Sequence, residues 1–243
     1  MRVADFVIKF LEEKKIDTVF TVSGGGSIFL CDALYKSKKL KYISCHHEQA
    51  VSFATESYAR VKNKPGAAII TTGPGGTNCA TGVACCWIDS VPSIFISGQV
   101  YLNQTIGKSG IRQVGVQEFD IINTIKPSTK YSAMVTKPEQ IKYHLEKAYH
   151  FSMEGRPGPV WIDIPANIQN ASVDEKKLKG FKAEKKVNKN VSLNKKIKKI
   201  AKLLSKHPRP VLHLGHGVKI AKGKKYLRKN LNLYDLSIGI LIF

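Results

Sequence analysis

Long apolar runs are missing from this 243-residue chain. The longest, Ala67–Ile70 and Ile238–Phe243, fall far short of the roughly 18 to 20 residues that cross a bilayer. Met1-Arg2-Val3-Ala4-Asp5-Phe6 has neither the apolar core nor the small-residue cleavage site of a secretory leader, so a cytoplasmic protein without a membrane partner is expected. The five cysteines, Cys31, Cys45, Cys79, Cys85 and Cys86, are odd in number and never form C-x-x-C. A disulfide framework and a paired-cysteine metal site are therefore set aside, and the thiols are expected reduced, as small packing residues. Acid is scarce at one end only: residues 1–170 carry 19 basic and 14 acidic side chains, residues 171–243 carry 20 and 4. The excess is lysine with few aromatics and little arginine, the pattern of a solvated face rather than of a nucleic-acid surface, so no nucleic-acid partner is expected. Several catalytic motifs are absent too. His47-Glu48-Gln49-Ala50-Val51 has valine where a zinc-protease helix needs its second histidine. Gly107-Lys108-Ser109 lacks a phosphate loop's first glycine, that position being Leu102, and no G-x-G-x-x-G follows the first expected strand. No metal-ligating set is read; His46 and His47, being adjacent, would diverge on a helix.

What remains is alternation of short apolar runs with helical periodicity. Val3, Phe6, Val7, Phe10 and Leu11 predict an opening amphipathic helix, and Asp17–Val22 a first buried strand. Lys41–Ser44 reads as extended. Ala50, Phe53, Ala54, Ser57, Tyr58 and Val61 then share one stripe at helical spacing, which places Glu48 where a strand hands over to a helix. Gly66–Thr71 reads as a strand, Gly73-Pro74-Gly75-Gly76 as a turn, and Thr77–Trp87 as a small-residue helix. Val91–Ser97 is a further strand, followed by a polar loop over Gly98–Val116. Thr136-Lys137-Pro138-Glu139 predicts a capping box opening a helix with Ile141, Leu145, Ala148 and Tyr149 inward, and Pro159–Ile164 a last strand. The fold expected is α/β, an open parallel sheet with helices on both faces. A polar linker over 166–190 and an incomplete second α/β domain over 191–243 are expected after a first domain at 1–165. Ligands of such sheets bind at strand-to-helix turns, so Glu48 and the glycine turn are expected to face one crevice. From spacing alone, Glu48 serves equally as a favourable charge at its helix N-terminus, and the glycines as close-packing positions.

The ordered motifs His47-Glu48-Gln49, Tyr58-Ala59-Arg60, Gly73–Asn78, Asp89-Ser90-Val91-Pro92, Ser97-Gly98-Gln99-Val100, Gly155–Val160 and Asp163-Ile164-Pro165 resemble the thiamine-diphosphate-dependent enzymes. Among these the chain is most similar to acetolactate synthase large subunits, over roughly residues 1–220. The resemblance implies a pyrimidine-binding domain joined to the start of a central domain. It also implies an enzyme that decarboxylates pyruvate and passes the acyl unit to a second 2-keto acid, in branched-chain amino-acid biosynthesis. Thiamine diphosphate would be the cofactor, with Glu48 against its pyrimidine ring and Gln117, the first of a Gln-Glu pair, beside the substrate; Gln113 competes for that place. Gly24, Gly25, Thr72, Gly73, Pro74, Gly75 and Asn78 would line the cofactor.

The family's diphosphate-binding Gly-Asp-Gly occurs nowhere in the chain. Magnesium ligands are accordingly expected in a missing C-terminal domain, the fragment alone is expected inactive, and FAD in the central domain is left open. The resemblance further implies a homodimer or homotetramer, with Ala80, Val83, Ala84 and Trp87 at the contact. Val22-Ser23 stands where acetolactate synthases carry Tyr-Pro, which keeps another thiamine-dependent decarboxylase or lyase as an alternative. A non-catalytic remnant with a basic tail is the alternative of a different class.

Overall fold

Residues 1–184, 191–206, 211–223, 226 and 237–240 are described by the computed structural model. They divide into two compact units, Met1–Ala183 and Glu184–Phe243.

In the first unit α1 (Val3–Glu13) buries Val3, Phe6, Val7, Phe10 and Leu11, the face its spacing predicts, and Asp5 Oδ2 accepts the Arg2 backbone N–H at 3.1 Å at its start. The chain continues through β1 (Thr18–Thr21), α2 (Ile28–Lys36), β2 (Lys41–Ser44), α3 (Glu48–Lys62), β3 (Gly66–Ile70), α4 (Pro74–Asn78), α5 (Ala80–Ile88) and β4 (Ser93–Gln99). Then follow α6 (Ile121–Ile125), β5 (Tyr131–Met134), α7 (Ile141–Met153), β6 (Pro159–Pro165) and α8 (Ala166–Asn170). The six strands form one sheet in the order β2-β1-β3-β4-β6-β5, with every neighbouring pair parallel. β3, β4 and β6 are buried along their whole length, as strands covered on both faces must be. Side chains alternate between two cores. Ile69, Ile94, Ile96 and Ile162 face the side that holds Leu11, Leu30 and Leu145. Ile70, Phe95 and Trp161 face Val51, Val83 and Ile121, with the Phe95 and Trp161 rings stacked at 5.4 Å. From β1 the chain crosses to β2 on one side and returns to β3 on the other, which opens a crevice at the carboxyl ends of β1 and β3.

Several elements depart from their sequence reading. The stripe on α3 is only partly its buried face: of its residues Tyr58 is buried and Ala54 half-buried, Ala50, Phe53, Ser57 and Val61 are exposed, and Val51, Ser52, Thr55 and Ala59 complete the inward face. Close approach explains this. A Cβ on Gly66 would strike the Thr55 carbonyl and one on Gly82 the Ser52 hydroxyl, so small residues set the contact and the larger apolar ones turn outward. The helix expected at Thr77–Trp87 is two, α4 and α5, meeting at Cys79, and Val83 lies wholly inside the core rather than at a surface. No capping box opens α7; the chain enters through a 3₁₀ turn, Pro138–Gln140, whose N-cap Lys137 makes no side-chain cap. Of the five cysteines, all free, only Cys79 and Cys86 are fully buried.

Residues 166–183, expected in a linker, belong to the first unit. Gln169 is buried in α8, Arg2 bridges Ser172, and the Phe181 N–H donates to Glu146 Oε2 at 2.7 Å. In the second unit α9 (Val191–Lys206) carries Leu193, Ile197, Ile200 and Leu203 exposed, and β7 (Val211–Leu214) leads into α10 (Gly217–Ile220). β8 (Ser237–Ile240), which the sequence analysis leaves unassigned within its incomplete second domain, pairs parallel with β7. Arg209 and Pro210, read as opening the β7 strand, lie outside the described residues. No helix among the described residues is long and apolar enough to cross a membrane.

Candidate functional site

Three strand-to-helix turns converge on the crevice. After β2, His47 takes the N-cap of α3 in extended conformation, its Nδ1 accepting the Gln49 N–H at 3.1 Å. Capping therefore falls to His47, and the Glu48 carboxylate reaches across to another element. Asn78 Nδ2, at the end of α4, donates to Glu48 Oε2 at 2.9 Å, and the Cys79 thiol donates to the Glu48 carbonyl at 3.2 Å. Glu48 is half-buried.

After β3, Gly73 adopts φ +56°, and a Cβ there would overlap the Gln117 carbonyl oxygen. Only glycine suits that geometry and that approach. Pro74 opens α4 at its first position, where a missing N–H costs nothing. A Cβ on Gly75 would lie 3.4 Å from Glu48 Oε1 and 2.7 Å from the Thr71 methyl, so the carboxylate lies close beside this turn. After β1, a Cβ on Gly24 would meet Thr71 Oγ1 at 2.5 Å, and the Gly26 N–H donates to that same oxygen at 3.2 Å. Gln169 holds the turn from below, donating to the Gly26 carbonyl at 2.6 Å and accepting from the Leu30 N–H at 3.3 Å.

The residues singled out in the sequence thus separate. Glu48, Gly75 and Asn78 touch one another, and Gly24 and Gly73 form the adjoining walls. Gly25 and Pro74 are exposed, and Thr72 turns to Gln99. Gln117 reaches the crevice through its backbone, at φ +57°, with its side chain exposed; Gln113 donates instead to the Gly115 carbonyl at 2.8 Å. Glu118 is buried and accepts the backbone N–H groups of Ile106 (2.7 Å) and Val114 (3.1 Å), which pins the 104–118 loop.

Residues 1–124 match the family described as thiamine pyrophosphate enzyme, N-terminal TPP binding domain. The chain belongs to the thiamine pyrophosphate enzymes. It is 36% identical over 230 residues to the acetolactate synthase large subunit of Corynebacterium glutamicum, covering 93% of this chain and 35% of that protein. It is 36% identical over 235 residues to the probable acetolactate synthase large subunit of Methanocaldococcus jannaschii, covering 93% and 38%. Against the isozyme 1 large subunit of Escherichia coli it is 35% identical over 215 residues, covering 88% and 37%. The chain therefore spans little more than a third of the length of the curated relatives it matches.

Beneath the crevice of this thiamine pyrophosphate enzyme lies a polar cluster whose residues the sequence analysis quotes within its motifs but gives no role. Asp163 on β6 is fully buried; its Oδ1 accepts from Ser97 Oγ at 2.6 Å and its Oδ2 from Gln99 Nε2 at 3.2 Å. Trp161 Nε1 donates to Ser97 Oγ at 2.8 Å, which directs the serine hydroxyl proton to Asp163. Burial pushes the Asp163 carboxyl up to about 7, against the two hydrogen bonds that favour its charge and with a smaller push from Asp120. Gln99 Nε2 also donates to the Phe119 carbonyl at 3.1 Å, while Gln99 Oε1 accepts the Val100 N–H at 3.0 Å and the Thr72 hydroxyl. A signal was present in the sequence: Ser97, Gln99 and Asp163 are polar residues inside otherwise apolar strands, where burial demands partners. Among the described residues no group of three or more His, Cys, Asp or Glu is placed to hold a metal.

Proposed function

We propose that the crevice receives the aminopyrimidine of thiamine diphosphate, as one half of an acetolactate-synthase-like active site. The carrying observation is Glu48: a half-buried carboxylate fixed by Asn78, with its other oxygen close beside Gly75, at the sheet's switch point. The residues fit a flat, nitrogen-bearing ring. Gly24, Gly73 and Gly75 let Thr71 and the Gln117 carbonyl close in around the Glu48 carboxylate and so fix its surroundings, and Thr21 Oγ1, at the carboxyl end of β1, is a buried hydroxyl without a hydrogen-bond partner among the described residues. Bound there, thiamine diphosphate supplies a carbon acid whose ionisation its own aminopyrimidine promotes. Glu48 would hold a proton at the pyrimidine ring nitrogen, Asn78 would keep that carboxylate oriented, and the Gly73–Gly75 backbone would set the plane of the ring. Gln117 would border the substrate side. The diphosphate and its magnesium are assigned in this reading to residues outside the chain, in keeping with relatives nearly three times as long. The relatives' names support a 2-keto acid substrate, with pyruvate as donor, and a place in branched-chain amino-acid synthesis; FAD enters this reading only through the second unit.

The experiment is product analysis with a full-length protein that carries this chain together with a diphosphate-binding domain, given pyruvate, thiamine diphosphate and magnesium. Acetolactate is expected. Glu48→Gln should lower its formation by about 10² to 10⁴-fold with an unchanged melting temperature. Acetaldehyde without acetolactate would instead favour a simple decarboxylase, consistent with Val22-Ser23 at the first turn. A folded protein that shows no contact between thiamine and the Glu48 crevice in a titration sinks the reading.

A further inference from the structure

Gln99 lies below the crevice yet holds both of its upper walls. Its orientation is unambiguous: a backbone N–H, Val100, must donate to Oε1, and a backbone carbonyl, Phe119, must accept from Nε2. With the amide so fixed, Oε1 also receives the Thr72 hydroxyl, next to Gly73, and the second Nε2 proton goes to Asp163. Every polar atom of this buried side chain is satisfied, and Asp163 closes the set from β6 with the Ser97 and Trp161 chain behind it. The two segments so joined otherwise meet where the Gln117 carbonyl lies on Gly73, both residues at positive φ.

We propose that Asp163 is a positioning residue: acting through Gln99, it locks the Thr72–Gly73 turn to the 117–119 turn and so fixes the wall beside Glu48 against which the aminopyrimidine would rest. The pyrimidine part of this statement rests on the function proposed above; the lock itself does not. An acceptor at position 163 is what the lock requires. Asparagine can present its amide oxygen to Gln99 and its NH₂ to Ser97 Oγ, whereas leucine, of similar shape, offers neither and leaves a Gln99 proton unpaired in the core.

The test is residue-resolved amide exchange on the 243-residue chain, without ligand and with thiamine as probe. The reporters are Gly75 and Thr77, bonded to the Thr72 and Gly73 carbonyls, and Glu118 and Ile121, bonded to the Gly115 and Phe119 carbonyls. In Asp163→Leu and Gln99→Met, all four amides should exchange several-fold to about tenfold faster, the size expected for a lost buried hydrogen bond, while the β4 amides of Ile94–Ile96 stay at wild-type rates. Asp163→Asn should restore wild-type exchange at all four. Thr72→Val, the mildest change, should speed Gly75 and Thr77 most and Glu118 detectably. The proposal is overturned if only one pair responds, if Asp163→Asn behaves like Asp163→Leu, or if the β4 amides accelerate equally, which would mean general loosening. Thiamine should slow the four amides of wild type and bind about tenfold more weakly to Asp163→Leu. If thiamine leaves wild type unchanged, the function proposed above falls, while the ligand-free rates still decide the lock.

Discussion

A methyl group at residue 73 would have nowhere to go, since it would meet the Gln117 carbonyl in a backbone conformation that side chains resist. Gly73→Ala should therefore lower unfolding free energy by about 2 kcal/mol in chemical denaturation, from αL strain and displacement of the 117–119 turn together. Gly25→Ala, with open space at its Cβ, should stay within about 0.5 kcal/mol. Equal losses at both sites would contradict the steric assignment. The buried Asp163 gives a second test. Its folded pKa, about 7, lies above the ordinary value of about 3.9, so the native state binds the extra proton between those limits. The stability tied to that proton is full below about pH 4 and lost as pH rises through about 7. Asp163→Asn cannot titrate. The wild-type melting temperature should fall relative to this variant from pH 5 to pH 8, and parallel curves would refute the assignment. The Glu48 strand-helix junction and the glycine turn at Gly73 were legible because they belong to local pattern, whereas Asn78 entered only through the family resemblance. The Gln99–Asp163 contact was not, for it joins residues 64 apart on neighbouring strands, a pairing that sheet order creates and periodicity does not contain.

On α3 the apolar stripe and the buried face overlap only at Ala54 and Tyr58, and the offset has a physical cause. Apolar spacing shows where large side chains lie, but a helix wedged against β3 and α5 at the Thr55–Gly66 and Ser52–Gly82 approaches is oriented by its smallest residues. Pattern located the helix correctly and turned it by the wrong angle. α1 shows the contrary case: its large residues are also its inward ones, so spacing alone sufficed. β3, β4 and β6 were legible for a third reason, since a run buried on both faces needs no phase, whereas the half-buried β5 was not read as a strand at all. Substitution on the two faces checks the orientation of α3 and α5. Val83→Ala, fully inside, should cost roughly 1.5 to 2.5 kcal/mol by denaturant titration of dilute protein. Phe53→Ala and Val61→Ala should each remain within about 0.5 kcal/mol. The reverse ranking would restore the stripe as the core face.

For the whole molecule the outward face of this helix pair is the feature that isolated packing leaves unexplained. Phe53 and Val61 on α3 and Trp87 and Ile88 on α5 are all exposed, Val61 by 77% and Ile88 by 66%, and the two helices lie side by side through the Gly82–Ser52 contact. Apolar side chains gathered on one face, rather than scattered, mark an association surface. The formal charge of +21 opposes self-association, yet 20 of the 39 basic residues fall in 171–243, beyond both helices. We expect a homodimer through the α3–α5 face, with Trp87, one of the four residues the sequence suggested, at its centre and the buried Val83 excluded. Equilibrium sedimentation should show a concentration-dependent dimer, tightened by salt as repulsion is screened. Trp87→Lys should shift it to monomer without lowering the melting temperature of the dilute chain. If the wild type is monomeric at every concentration, or the dimer persists in both Trp87→Lys and Phe53→Lys, another surface carries the assembly and this face is simply solvated.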